Sequence, residues 1–284
     1  MIKKIFFLIF LVLFSQNLNA ETKTYKMVFV PASEKGDESD YNTLIAITKR
    51  LTGLNIETIK VTDYNAAVEA MRAGRAHIAW YGGKTYVKAA EIANAEAFAA
   101  GVRPGEKDAG YYTYFVVKKD SELKKFNDVK GKTLSLNTIG STSGDLIPQV
   151  ELKKINLSVE NKNDFKNVFY AGTHDACLLS VLNNQADVCG MSSRNFEARL
   201  EDGTIKLEDV RIIHKSDRVP PPPLAYSKLI SIEDRVKIKK AVLDAHNHGT
   251  IGGYGGQMSH YMEVKDSDYD ILRDVIIFLN KNKT

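Results

Sequence analysis

The stretch GKTLSLNTIGSTSGDLIPQV, Gly131 to Val150, decides how the chain is to be read. A short strand-like run ends near Asn137, an apolar helical run follows Gly144, and between them Ser141, Thr142 and Ser143 stand in a row bounded by Gly140 and Gly144. A strand that turns into a helix is the repeating step of α/β folds.

The same step recurs on both sides. YKMVFV (from Tyr25) reads as a strand. DYNTLIAITKRLTG follows as a helix with an Asp40 cap and a stop at Gly53, then LNIETIKV as a strand. TDYNAAVEAMRAG is a helix capped by Thr62 or Asp63, and AHIAWYG the next strand, so the first unit runs β-α-β-α-β. A second series begins at YYTYFVVKKD, passes through Gly131–Val150, and continues with NVFYAG, HDACLLSVLNNQ, ADVCGM, a short helix and VRIIHKS. VPPPPLAY then interrupts it. Four prolines, Pro220 to Pro223, fit neither a helix interior nor a central strand, so an extended connector is expected. Beyond it the chain reads as mainly helical: SIEDRVKIKKAVLDAHNHG with a Ser231 cap, a glycine-rich loop GTIGGYGG, and DSDYDILRDVIIFLNK. Two α/β units with a connector and a C-terminal return suggest two lobes and a cleft, a favoured place for a ligand.

The opening, Lys3 and Lys4 followed by an apolar run to Phe14 and small Ala20, reads as a secretory signal peptide cleaved near Ala20. That run is too short for a membrane span, which needs roughly 20 residues. The whole chain carries 39 basic and 35 acidic residues, and loss of Lys3 and Lys4 leaves an excess of only two. Such a balance argues against a nucleic-acid partner. Export permits a disulfide between Cys177 and Cys189; two buried thiols are the alternative.

At a helix N-terminus, unpaired backbone N–H groups and the positive end of the dipole favour an anion. Hydroxyls of Ser141, Thr142 and Ser143 would add donors, and the flanking glycines would let a tetrahedral oxyanion approach. The bland alternative is a helix cap, which needs one hydroxyl where three are present. A serine hydrolase is the third reading, with His174 and Asp175 as partners. Yet GSTSG places Thr142 at the centre of a nucleophile-elbow pattern, and adjacent helix residues point in different directions. His174 opens a second helix and suits an oxyanion as donor, its affinity then falling as pH rises if the bound state takes up a proton there. Tyr64 and Tyr111 read as packing aromatics on their own. His246 and His248 do not share a helix face, so no metal site is expected.

DYNAAVEAMRAGRAHIAWYGGKTYVKA, NTIGSTSGDLIP, AGTHDACLLSVLNNQADV and DSDYDILRD together resemble the phosphate/phosphite/phosphonate-binding proteins of ABC importers, the PhnD type. The resemblance spans the mature chain. It implies an α/β, type II periplasmic-binding-protein fold, two lobes closing on an interlobe ligand cleft like a hinge. Residues 21–114 and 220–284 would form lobe 1, and residues 115–219 lobe 2. It further implies a non-enzymatic, periplasmic, monomeric protein without cofactor or metal, serving an inner-membrane ABC permease; a clamp that signals to a receptor kinase has the same shape. The phosphorus oxyanion would be held by Tyr64, Tyr111, Ser141, Thr142, Ser143 and His174. Members that bind aminoethylphosphonate hold its ammonium with acids, and at those places this chain has Arg194 and Pro222, with Glu197 one turn away. The departure favours ligands without an amine: phosphite, methylphosphonate or phosphate.

Overall fold

The computed structural model describes residues 23–34 and 37–281. The expected leader and its cleavage near Ala20 lie outside the described residues. The chain begins with β1 (Thr24–Phe29), α1 (Asp37–Asp40), α2 (Asn42–Thr52), β2 (Asn55–Ile59), α3 (Tyr64–Arg72) and β3 (Ile78–Trp80). Asp63 caps α3, its carboxylate accepting from Ala66 N at 2.9 Å, and Gly53 ends α2 in the left-handed conformation at φ 70°. The cap expected at Asp40 is displaced: Asp40 closes α1, and Tyr41 stands at the cap position of α2 without a side-chain cap hydrogen bond. Next come α4 (Gly83–Ala93) and β4 (Ala95–Val102), which the sequence reading passed over. β4 is AEAFAAGV, and alanine carries little strand preference.

The second unit comprises β5 (Thr113–Lys118), β6 (Thr133–Leu136), α5 (Ile147–Lys154), β7 (Asn167–Tyr170), α6 (His174–Leu182), β8 (Val188–Ser192), α7 (Ser193–Glu201) and β9 (Val210–Lys215). Its sheet has the order β7-β6-β8-β5-β9. β6 runs parallel to β7 and β8, while β5 is antiparallel to β8 and β9. Phe115, Leu134, Leu136 and Val188 are fully buried beneath the helices. Cys177 and Cys189 form a disulfide that ties α6 to β8 across 5.6 Å between Cα atoms, so the two-thiol alternative falls.

The chain crosses between sheets twice, and the crossings pair: Tyr111 N donates to Val219 O at 3.2 Å and Val219 N to Tyr111 O at 2.8 Å. The proline run lies in no helix or strand, and its carbonyls are used, Pro223 O by Tyr81 N (3.0 Å) and Pro221 O by Tyr269 Oη (2.9 Å). It leads into β10 (Leu224–Ser227), a central strand antiparallel to both β3 and β4. Then follow α8 (Ile232–Asp244), capped by Ser231, β11 (Ile251–Gly253), β12 (Gly256–Met258), β13 (His260–Glu263) and α9 (Asp270–Lys281). The C-terminal part is therefore less helical than its sequence suggests. The glycine-rich loop is a β11–β12 hairpin, turned by Gly255 and Gly256 at φ 80° and 112°, where a side chain is strained. The first sheet reads β13-β4-β10-β3-β1-β2. We propose the lobe boundaries at the two crossings, with β5 assigned by its pairing to the second unit from Thr113 onward.

Candidate functional site

The carboxyl end of β6 and the N-termini of α3, α4, α6 and α7 converge where the units meet. Three hydroxyls of the 141–143 turn, all 2% exposed, have three different surroundings. Ser141 is the cap: its Oγ accepts from Gly144 N at 3.1 Å and from Asn137 Nδ2 at 3.4 Å. With both lone pairs engaged, its O–H remains to donate. Thr142 Oγ1 accepts from Lys84 N of the first unit at 2.9 Å. Ser143 and Thr142 lie beside the Tyr111 hydroxyl and partly offset the rise in its pKa that burial causes.

From Thr142 to Leu146 the backbone takes one wide turn of π-helix before α5, closed by Leu146 N to Ser141 O at 3.1 Å. Such bulges are frequent at functional sites. Gly144 is required there, because a Cβ on it would lie 2.3 Å from Asn137 Cβ and 2.9 Å from His174 Cε1.

His174 opens α6, 1% exposed. Its backbone N–H donates to Ala32 O of the first unit at 3.1 Å, and its Nδ1 accepts from Ser192 N at 3.3 Å. The proton therefore belongs on Nε2. Burial lowers the pKa to about 3, so without ligand the imidazole is a neutral donor at neutral pH. Tyr64, the first residue of α3, is buried beside Gly82 and Gly140. Tyr111 sits on the first crossing, and burial pushes its hydroxyl pKa up. The six residues expected from sequence thus come together from four elements.

A chain of rings backs Tyr111: Tyr254 at 6.3 Å between centroids, then Trp80 at 4.8 Å, and Tyr41 5.8 Å beyond it. Trp80 Nε1 is buried without a partner among the described residues. Sequence reading missed these rings and Asn137. Trp80 entered only as part of the strand AHIAWYG and Tyr41 only as part of the helix DYNTLIAITKRLTG, and Tyr254 was hidden in the glycine-rich stretch.

Arg194, 1% exposed, is turned toward the first unit. Its guanidinium donates to Gly101 O (3.2 Å) and Ala109 O (2.8 Å) and pairs with Glu106 at 3.3 Å. Glu197 is engaged by Arg103 at 2.8 Å and by the Tyr114 hydroxyl at 3.1 Å, so it is not available as the missing acid. Asp175 is also committed, its Oδ2 accepting from Glu34 N at 3.0 Å and its Oδ1 lying 3.4 Å from Arg199 Nε. That leaves no His–Asp relay for a nucleophile. The units touch further through Thr85 Oγ1 to Gly140 O (2.9 Å) and the Lys84–Asp145 ion pair (2.5 Å). His248 pairs with Asp244 and the His246 ring lies 6.0 Å from that of His260. No group of three metal-ligating side chains forms among the described residues. A groove of about 810 Å³ lined by Val87, Ala90 and Ile276 shares no residue with the turn.

Residues 27–269 match a family described as the periplasmic substrate-binding protein of a phosphonate ABC transporter. The chain is 29% identical over 212 residues to the phosphonates-binding periplasmic protein of Escherichia coli, covering 72% of this chain and 61% of that one. It is 25% identical over 272 residues to the phosphate-import protein PhnD of Mycolicibacterium smegmatis, covering 89% and 85%. Prochlorococcus marinus PhnD1, solved in complex with methylphosphonate, superposes with a TM-score of 0.77 at 19% identity over 91% of this chain and 99% of that one. The fold is the type II periplasmic-binding-protein fold.

Proposed function

The chain belongs to the family of periplasmic substrate-binding proteins of phosphonate ABC transporters, and from that premise we propose that it captures a small phosphorus oxyanion for an ABC permease. The carrying observation is the convergence of Ser141, Thr142, Ser143, Tyr111 and His174 as buried neutral donors at a helix N-terminus. Neutral dipoles suit an anion whose charge is spread over several oxygens. With Nδ1 accepting from Ser192 N, His174 has only Nε2–H to offer, a donor rather than a base. Binding, not bond cleavage, is what the arrangement favours.

The ligand is phosphite, methylphosphonate or phosphate rather than an aminophosphonate. Arg194 is a buried cation where an ammonium would need an acid, and Glu197 is held by Arg103. The protein acts in the periplasm as a monomer, after removal of its leader.

Melting and small-angle scattering of residues 21–284, with and without these anions, test the proposal. Binding to the native form alone raises the melting temperature, and closure of the two units around the ligand lowers the radius of gyration. A melt unmoved by every phosphorus oxyanion would contradict it.

A further inference from the structure

A cradle made only of donors accepts any tetrahedral oxyanion, so selectivity must come from a group that is not a donor. Asn137 supplies one. It follows β6 directly and is 0% exposed. Its backbone is fully used, N–H donating to Gly144 O at 2.9 Å and carbonyl accepting from Gly172 N at 2.7 Å. Its Nδ2 donates to Ser141 Oγ at 3.4 Å, whereas its Oδ1 has no partner among the described residues. A Cβ placed on Gly144 would touch Asn137 Cβ, His174 Cε1 and Ser141 Oγ at once, at 2.3, 2.9 and 3.0 Å, so the Asn137 side chain belongs to the same shell as the two donors. Buried acceptors are normally satisfied, and one left open beside a ligand site points to a proton that arrives with the ligand.

Resting on the oxyanion reading above, we propose that Asn137 Oδ1 accepts the proton of a P–OH group. The site then selects singly protonated phosphorus oxyanions over sulfate and sulfonates, which carry no proton at neutral pH. Around the turn the ionisable groups are His174 from α6, Tyr64 from α3, Tyr111 from the first crossing with Arg194 of α7 acting on it, and the paired Lys84 and Asp145, the latter also accepting from the Tyr170 hydroxyl of β7 at 2.9 Å. Burial raises the Tyr111 hydroxyl pKa and lowers that of His174 to about 3, so neither changes state across a phosphonate's second ionisation, and a pH profile in that range reads the ligand's proton.

The test is calorimetry of wild type and Asn137→Ala with methylphosphonate and methanesulfonate, which share a shape and differ in the proton. Wild type is expected to prefer methylphosphonate by more than about tenfold and to lose about tenfold in affinity per pH unit above its second ionisation, as linkage to one bound proton requires. Asn137→Ala is expected to narrow the preference and flatten the profile. Wild-type affinity that rises with pH, or equal affinity for the two anions, overturns the proposal without reference to the variant. An unchanged preference and profile in Asn137→Ala overturns it as well. Failure of wild type to bind methylphosphonate or any other oxyanion at any pH overturns instead the oxyanion reading on which it rests.

Discussion

The two faces of the cleft are built from different chemistry. The second unit contributes hydroxyls, an imidazole and an amide from the turn, α6 and the end of β6. The first contributes rings: Tyr64, Trp80, Tyr41 and Tyr254. Among the described residues neither places a free cation against the turn, because Lys84 is paired with Asp145 and Arg194 with Glu106 and two carbonyls. Under the proposed function, recognition of the anion falls mainly to dipoles of one unit, while the other adds the Tyr64 hydroxyl and supplies the shape of the site. A charge held by dipoles already oriented in the fold needs little reorganisation when the ligand arrives.

The sharpest way to break that contrast is within the turn itself. Ser143→Ala is expected to weaken oxyanion binding by about 1–3 kcal/mol, the scale of a hydrogen bond to a charged group, with the unliganded melt nearly unchanged. Ser141→Ala should weaken binding similarly and also cost about 1 kcal/mol of stability, because it removes the cap. Calorimetry beside thermal melts separates the two. If both variants melt alike, the division of labour between the hydroxyls is wrong.

The imidazole offers the next test. The folded pKa of His174 is about 3 against 6.5 for an ordinary histidine, so the unfolded chain binds more protons between those values. The stability it contributes is complete above the ordinary value and lost as pH falls toward the lower one. By pH 5 that loss is about 2 kcal/mol, at 1.36 kcal/mol per unit. Melts at neutral and acidic pH should therefore diverge more for wild type than for His174→Gln. Parallel behaviour would mean that the imidazole is solvated and the site open.

These tests fall unevenly on what the sequence made legible. The turn was readable because glycines, hydroxyls and a following apolar run are local signals, and His174 because a helix start is one too. Asn137 carried no such signal: its importance arises from the contact with Gly144, seven residues away and visible only once the turn has folded. β4 and the β11–β12 hairpin were hidden for a related reason. Alanine-rich and glycine-rich segments become strands when neighbouring strands supply their hydrogen bonds, a tertiary effect that propensity does not contain. The proline run was understood as extended, but its carbonyls' bonds to Tyr81 and Tyr269 needed the other strands in place.

The smallest expected effect bears on the central claim, that the cleft takes a phosphorus oxyanion bearing no positive charge. Side-by-side calorimetric titration of residues 21–284 with phosphite, methylphosphonate and aminoethylphosphonate measures it directly. An ammonium buried near Arg194 would lack a counter-ion, a penalty above the 1.4 kcal/mol that corresponds to about tenfold. Phosphite or methylphosphonate is therefore predicted to bind at least about tenfold more tightly than aminoethylphosphonate. Tighter binding of aminoethylphosphonate would contradict the account and identify an acid in the cleft that Arg103 does not hold.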